Sequence, residues 1–286
     1  MDTPFLGRAD PLAELPLSLR APLIERSDHH APSVFLPEAM LKVARRQKGL
    51  RDGSVPPVCV LDPDGDIVDF VRRHHRAEPS LHWACYHTEM WEWHHDDQRY
   101  GIVGRAVGAP FAVLVAEQLF SSGCRLVVSA ASAGQIAAIG KARHVLIDRA
   151  LRDEGTSYHY LPPSAFASAN PALVEIALRA FATTGLAVVR GASWTTDAPY
   201  RETANTIAQR KAEGLLTVEM EAAALYAFAA AAARPILCLA QVTNALGSGI
   251  EDFEKGEDNG AAETLRLIAA FARAWNSEPT AATGRS

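Results

Sequence analysis

The sequence predicts a single α/β domain in which helices flank a mixed, twisted central sheet. Short runs rich in β-branched residues alternate with longer Ala-rich amphipathic runs, which is typical of strands joined by helices. The chain has 286 residues, 48% of them hydrophobic, and this is enough for one full core. No internal repeat is visible, so we expect one large domain rather than an array of small units.

We divide the chain into three parts. Residues 1–50 form an N-terminal extension with one helix, which begins at Pro37 because proline is favourable in the first helical turn. Residues 51–276 form the main domain. Residues 277–286, SEPTAATGRS, are expected to be a mobile tail.

The first half of the main domain alternates strand and helix signals. PVCVL at 57–61 is the first clear strand, and the turn residues 62–65 lead from it into a helix. Residues 81–107 alternate large and polar side chains, which predicts a β-meander. The helix at 110–123 has Pro in its first turn and Gly after its end. The strand after it, CRLVV, runs into small residues that let a ligand approach the backbone.

The second half continues the same alternation and ends in a helix. In chain order we predict a helix at 171–185, a strand at 186–196, a helix at about 202–213, a strand at 215–220, a helix in EAAALYAFAAAAA, a strand at 235–244 and a helix at 261–275. Open α/β sheets gather strand ends in one crevice. We therefore expect one pocket to be surrounded by residues 130–134, 195–200, 217–221 and 241–245.

Charge and cysteine content exclude several functions. The formal net charge is -5, from 28 basic and 33 acidic residues mixed along the chain, so we expect no nucleic-acid partner. No segment reaches about 18 apolar residues without a charge and no signal peptide is visible, so we expect no membrane contact and a cytoplasmic location. Wide spacing predicts buried free thiols at Cys59, Cys85, Cys124 and Cys238.

Histidines are dense between residues 74 and 95. Among them are His74, His75, His87, His94 and His95. Neither an H-x-x-x-H nor a C-x-x-C spacing supports a metal site, and adjacent histidines in polar segments are more often surface features than ligands. We therefore expect no metal.

The segment Thr217–Tyr226, TVEMEAAALY, is the strongest candidate for a binding site. Glu219 and Glu221 flank Met220 where a strand meets an Ala-rich helix, and alternation sends both carboxylates to the same side. A carboxylate that accepts two hydrogen bonds can bind neighbouring hydroxyls, as in a ribose. The alternative is that both acids simply favour the positive end of the helix dipole.

Two polar segments are weaker candidates. The loop at 195–203, which contains Thr196 and Pro199, follows a strand, but it also reads as a helix N-cap with an acidic first turn. Asn244 ends the strand that begins PILCLA, and its amide can pair with a base edge. The alternative for Asn244 is an Asx turn.

VEMEAAALY resembles a segment of the nucleoside phosphorylase family, which includes purine nucleoside phosphorylase, uridine phosphorylase and the methylthioadenosine nucleosidases. The resemblance extends over about residues 56–275 and implies the nucleoside phosphorylase-like fold. It implies that Glu221 binds the ribose hydroxyls and that Met220 lies against the sugar. It also implies base contacts, for which we assign Glu219, Asn244, Thr196 and Pro199.

The resemblance also shows departures from the family pattern. Phosphorylases of the family bind phosphate through a G-D-P-x-R turn, and here residues 62–66 lack the Arg. Ser129 stands where a second Arg is expected, whereas Ser132 matches the phosphate-binding hydroxyl. Replacement cations are Arg105 or the pair at 72–73, and we assign Arg105 together with Ser132 to phosphate. Asn244 stands where purine-cleaving members carry an Asp.

The resemblance implies a pentosyltransferase that needs phosphate as co-substrate and no cofactor. It would cleave the N-glycosidic bond of a ribonucleoside to give free base and ribose 1-phosphate. Because the amide of Asn244 has no acidic proton, we expect a uridine-like or 6-oxopurine base. Two alternatives remain open, a nucleosidase that uses water and a non-catalytic nucleoside-binding protein.

Members of the family form dimers, often assembled into hexamers, in which a neighbour completes the site. We therefore expect a homodimer or homohexamer here. Exposed Trp and Tyr favour buried interfaces, so our candidate contact is the stretch Trp83–Tyr100.

Overall fold

A computed structural model describes residues 21–25, 28–245 and 257–278. Over these residues it contains one ten-stranded mixed sheet flanked by seven α-helices, which confirms the predicted fold class. The strands are β1 Val58–Asp62, β2 Glu78–Pro79, β3 Trp91–His95, β4 Gln98–Gly104, β5 Leu126–Gln135, β6 His144–Asp153, β7 Phe166–Ser168, β8 Val188–Thr196, β9 Thr217–Glu219 and β10 Ile236–Ala245. The helices are α1 Pro37–Lys48, α2 Asp66–His74, α3 Ala109–Ser121, α4 Pro171–Ala182, α5 Ala204–Ala212, α6 Ala222–Ala231 and α7 Ala261–Ser277.

Part of the sheet closes on itself, whereas an open sheet was expected from the sequence. Strand β5 pairs with β10 and β9, β9 pairs with β8, β8 with β6, and β6 returns to β10. Strand β7 pairs with β6. From β5 the sheet also extends through β1 to β4, β3 and β2, and β3 is antiparallel to both β4 and β2. Strands β3 and β4 lie in the segment predicted as a meander, residues 81–107, whereas β2 precedes it.

A gap in strand pairing opens along one edge of β5. Strand β10 pairs with β5 along one side, and on the other side β1 pairs only as far as Ser129. Strand β9 then begins to pair at Gly134. Residues 130–133 therefore have no strand partner on this edge among the described strands, and their polar backbone groups are available for other contacts.

Helix α6 anchors this region because it is apolar on nearly every side. The seven residues 222–228 are all buried, as expected for a helix without a polar face. The hydroxyl of Tyr226 donates to the carbonyl of Ile147 at 2.6 Å and accepts from the Cys238 N–H at 3.0 Å. This single buried side chain therefore joins α6 to β6 and β10.

Strand β6 was missed by the sequence analysis, together with the short β7 that pairs with it. Charged residues interrupt its apolar pattern, most notably Arg152, which is buried. The Arg152 guanidinium donates to the hydroxyls of Ser157 and Ser164 and to two carbonyls of the following loop. Burial of this charge is tolerated because its donors are satisfied.

The predicted first helix begins at Pro37, as expected. The described part of the chain does not include residues 1–20, 26–27, 246–256 and 279–286. The division of the chain at residues 50 and 276 stays a prediction. The four cysteines are buried and free, which confirms that expectation. In the described part of the chain, no helix is long and apolar enough to cross a membrane.

Candidate active site

A cleft of about 380 Å³ lies beside the pairing gap of β5. Four of its sides come from segments that the sequence analysis expected to meet, and the turn after β1 adds a fifth. The lining residues are Pro63, Asp64, Val107, Ala131, Ser132, Ala133, Gly134, Pro199, Tyr200, Glu202, Val218, Glu219, Met220, Glu221 and Thr243. The cleft therefore gathers chemistry from widely separated parts of the chain.

Glu219 ends β9 and binds the start of α6. One carboxylate oxygen accepts from the hydroxyls of Thr195 at 2.6 Å and Ser193 at 3.3 Å. The other accepts from the N–H groups of Glu221 at 2.8 Å and Ala222 at 2.7 Å. Burial raises the pKa of Glu219, and these hydrogen bonds oppose that rise. Two of these contacts join Glu219 to the start of α6 and two join it to β8, and its assignment to the base stays a prediction.

Glu221 lies on the cleft wall with only 3% of its surface exposed. Its carboxyl accepts from the N–H of Gly108 at 2.7 Å and, more weakly, from the N–H of Met220 at 3.3 Å. Burial, followed by the charges of Glu219 and Asp64, raises the pKa of Glu221 to about 8. The raised pKa favours the protonated form of this carboxyl, which can donate as well as accept.

The remaining predicted contacts divide into two groups. Met220 and Pro199 line the cleft, and Tyr200 beside Pro199 is fully exposed at its mouth. Thr196 does not line the cleft. It is buried at the end of β8, where its hydroxyl accepts from the Ala198 N–H at 3.2 Å and shapes the loop that follows.

The Asn244 side chain lies outside the described residues. Its backbone belongs to β10 and pairs with Gly134 after a bulge that follows Val242. Thr243, which is buried, is the β10 residue that lines the cleft. The assignment of Asn244 to the base stays a prediction.

The carboxylate of Asp64 accepts hydrogen bonds from both donors of Ser132. The N–H of Ser132 donates to one oxygen of Asp64 at 2.7 Å, and its hydroxyl donates to the other at 2.6 Å. The pairing gap explains this contact, because β1 has ended and Asp64 follows it at the level where the β5 edge is open. Sequence reasoning singled out Ser132 but missed Asp64, although the acidic turn was visible.

Arg105 lies away from this contact. Its guanidinium bonds to Asp69 at 2.8 Å with 61% of the side chain exposed, and it is not a cleft-lining residue. Arg72, another candidate cation, stacks over the ring of Trp91 at 4.1 Å. Among the described residues, no Lys or Arg lines the cleft, whereas four carboxyl groups do.

Glu202 is the fourth of these carboxyl groups and was also missed as a functional residue. The sequence analysis included it only as an acid of the first turn of a helix. In the structure it is partly buried and lies before Thr203, whose hydroxyl caps α5 by accepting from the Thr206 N–H at 3.2 Å. Burial raises the pKa of Glu202. The sequence does not show that Glu202 lines the cleft, because this position becomes visible only in the folded chain.

Comparisons with known proteins agree with this fold. The profile of the family described as "Phosphorylase superfamily" matches residues 58–273. A search of curated proteins finds no significant match. Two solved structures of uridine phosphorylase from Vibrio fischeri ES114, one complexed with 6-hydroxy-1-naphthoic acid, share 20% identity with this chain, with TM-scores of 0.64 and 0.63. The matches cover 76% of this chain and 90% and 91% of those chains, and at this identity the likeness is one of fold.

Proposed function

We propose, since the chain belongs to the phosphorylase superfamily, that it cleaves the N-glycosidic bond of a ribonucleoside and that water is the attacking group. The observation that supports water is the double hydrogen bond from Ser132 to Asp64. The hydroxyl of Ser132 is the group that the family resemblance assigns to phosphate. Here both donors already bind an anion that belongs to the chain.

Charge in the cleft also favours water over phosphate. A phosphate bound at Ser132 would displace the Asp64 carboxylate and remain close to it. At about 4 Å and an effective dielectric constant near 20, two like charges repel by about 4 kcal/mol. Among the described lining residues there is no Lys or Arg to offset this repulsion.

The same residues support a hydrolytic mechanism. As the base leaves with the bonding electrons, the ribosyl group gains positive charge, which nearby carboxylates stabilise. Water attacks the anomeric carbon, a C–O bond replaces the C–N bond, and Asp64 accepts the water proton. Ser132 fixes the orientation of Asp64, and Glu221 binds the ribose hydroxyls. The departing base takes up a proton, Asp64 returns its proton to solvent, and the products are free base and ribose.

Phosphorolysis remains the second candidate because of the same serine. Its N–H and hydroxyl both point at an anion, and they could donate to a phosphate if the Asp64 side chain turned away. The predicted formation of ribose 1-phosphate therefore stays a prediction. Non-catalytic nucleoside binding also stays open until turnover is measured.

A product assay separates these functions. A panel of nucleosides is incubated with the full chain in phosphate-free buffer and with added phosphate, and free base, ribose and ribose 1-phosphate are quantified. We expect base and ribose at rates independent of phosphate. Strict dependence on phosphate with ribose 1-phosphate as product would refute the choice of water.

Two variants sharpen the assay. Asp64→Asn keeps the size of the side chain and removes the proton acceptor, so hydrolysis should fall by about 10²-fold or more. Asp66→Asn is the matched control, because Asp66 lies two residues further along the chain, at the start of α2, and does not line the cleft. Equal effects of both substitutions would contradict the role of Asp64. If wild type cleaves nothing while ribonucleosides still raise its Tm, the protein is a nucleoside-binding protein.

A further inference from the structure

We propose that Glu202 binds the leaving base and protonates it, and that the base it selects is a 6-aminopurine such as adenine. This inference rests on the proposed cleavage of a ribonucleoside. Glu202 would supply the acidic proton that the amide of Asn244 lacks.

Glu202 is the uncommitted carboxyl group of the cleft. Asp64 is held by Ser132, and Glu219 accepts four hydrogen bonds from its neighbours. Glu221 is bound by backbone N–H groups. The Glu202 side chain forms no hydrogen bond or ion pair with any described residue, yet it is partly buried in the lining. An acid held in this way is available to a ligand.

A capping role does not explain Glu202. Thr203 is the N-cap of α5 and its hydroxyl already accepts from the Thr206 N–H. Glu202 precedes that cap and closes the turn Pro199–Arg201, with its own N–H donating to the Pro199 carbonyl at 3.4 Å. The turn carries Pro199, which the resemblance assigns to the base. Glu202 therefore lies beside the part of the cleft expected to hold the base.

The protonation state fits an acid. Burial raises the pKa of Glu202 and no hydrogen bond to the described chain opposes the rise. A carboxyl group that keeps its proton closer to neutral pH can deliver it to a leaving group. By contrast, an amide such as that of Asn244 has no acidic proton to transfer.

The hydrogen-bonding pattern selects the base. A protonated carboxyl group offers one donor and one acceptor side by side. The edge of adenine offers an acceptor at N7 and a donor at the 6-amino group, whereas guanine offers two acceptors on the same edge. A 6-oxopurine has the guanine pattern and leaves the Glu202 acceptor unpaired. The expected base therefore differs from the uridine-like or 6-oxopurine base inferred from Asn244 alone.

Cleavage of adenosine by these groups balances in atoms and electrons. The C1′–N9 bond breaks and its electron pair passes into the purine ring, while the Glu202 proton forms a bond to N7. Water forms the new C1′–O bond and gives its proton to Asp64. Neutral adenine and ribose leave, and solvent then returns a proton to Glu202 and removes one from Asp64.

The experiment compares two leaving groups in the full chain. Adenosine needs protonation of its base, whereas 4-nitrophenyl β-D-ribofuranoside releases a stable anion without it. For Glu202→Gln we expect kcat/KM on adenosine to fall by about 10²–10⁴-fold, with only a few-fold change on the nitrophenyl riboside. In the wild type, adenosine cleavage should decline as pH rises through the pKa of Glu202, and the variant should lose this limb. Glu213→Gln, at the exposed end of the following helix, is the control.

Adenine binding by calorimetry tests recognition separately. An amide also has one donor and one acceptor, so Glu202→Gln should bind adenine nearly as wild type does. Glu202→Ala should bind it at least about tenfold more weakly. Equal losses on both substrates, no loss on adenosine, or unchanged adenine binding in Glu202→Ala would each overturn the proposal. A wild type that cleaves neither substrate would refute the proposed function, and base recognition by Glu202 would then stand or fall on calorimetry.

Discussion

Replacement of Glu221 by Gln should change the pH dependence of stability in a measurable way. The Glu221 carboxyl is 3% exposed and accepts from the N–H of Gly108 at 2.7 Å. The amide oxygen of Gln can keep that bond and fills nearly the same volume. The substitution therefore removes the ionisation of this group with little change in packing.

The sign of the effect is set by the direction in which the pKa moves. Burial and the charge of Glu219 raise the pKa of Glu221 from 4.5 to about 8, so the folded protein holds a proton that the unfolded chain releases. The stability from this group is complete below about pH 4.5 and is lost as pH rises to about 8. A pKa difference of one between the folded and unfolded states corresponds to about 1.4 kcal/mol, and because Glu219 shares the effect we expect about 2–4 kcal/mol in total.

Urea denaturation followed by circular dichroism measures this difference. Wild type and Glu221→Gln are compared at about pH 5 and about pH 8.5, where the free energy of unfolding is extrapolated to water. The wild type should lose about 2–4 kcal/mol more than the variant between these two conditions. If both proteins lose the same amount, Glu221 is not a buried acid of raised pKa and its position on the cleft wall is wrong.

Three further predictions concern the sugar, the core and the assembly. Glu221→Ala should abolish most cleavage of ribonucleosides while 2′-deoxyribonucleosides, which lack one bound hydroxyl, lose less; kinetics that show equal losses would exclude diol binding. Tyr226→Phe removes the acceptor of the buried Cys238 N–H and the donor to Ile147, and should cost about 1–3 kcal/mol in urea unfolding; an unchanged midpoint would contradict the bridge. Light scattering should give a dimer or a hexamer, and a monomer would contradict the expectation from the family resemblance.

The cleft shows how far local pattern extends into function. The order Glu219, Met220, Glu221 identified one wall correctly, because a strand end followed by an Ala-rich helix is visible in the sequence. In the structure Glu219 accepts two hydrogen bonds from hydroxyls of β8 and two from N–H groups at the start of α6, while its contact with a base stays a prediction. The local pattern is the same for helix capping and for ligand contact, so it could not distinguish them.

The sequence by itself determined most elements of this protein. Helices α1, α3, α4 and α6 and strands β1, β8 and β10 lie close to their predicted positions, because periodicity, proline and glycine act over a few neighbouring residues. It failed at β6. There the charge of Asp148 is paired with Arg190 and that of Arg152 is satisfied by the loop that follows the strand, so a buried strand carries residues typical of a surface.

Tertiary structure alone decided which groups line the cleft. Asp64 and Ser132 are 68 positions apart, and they meet because β1 ends beside an unpaired stretch of β5. Arg105 bonds to Asp69 instead of facing the cleft. Glu202 lines the cleft without a partner among the described residues. A carboxylate has the same local signature whether it caps a helix, pairs with a cation or faces a pocket. Its function depends on which groups the fold brings within hydrogen-bonding distance, and those groups come from distant segments of the chain.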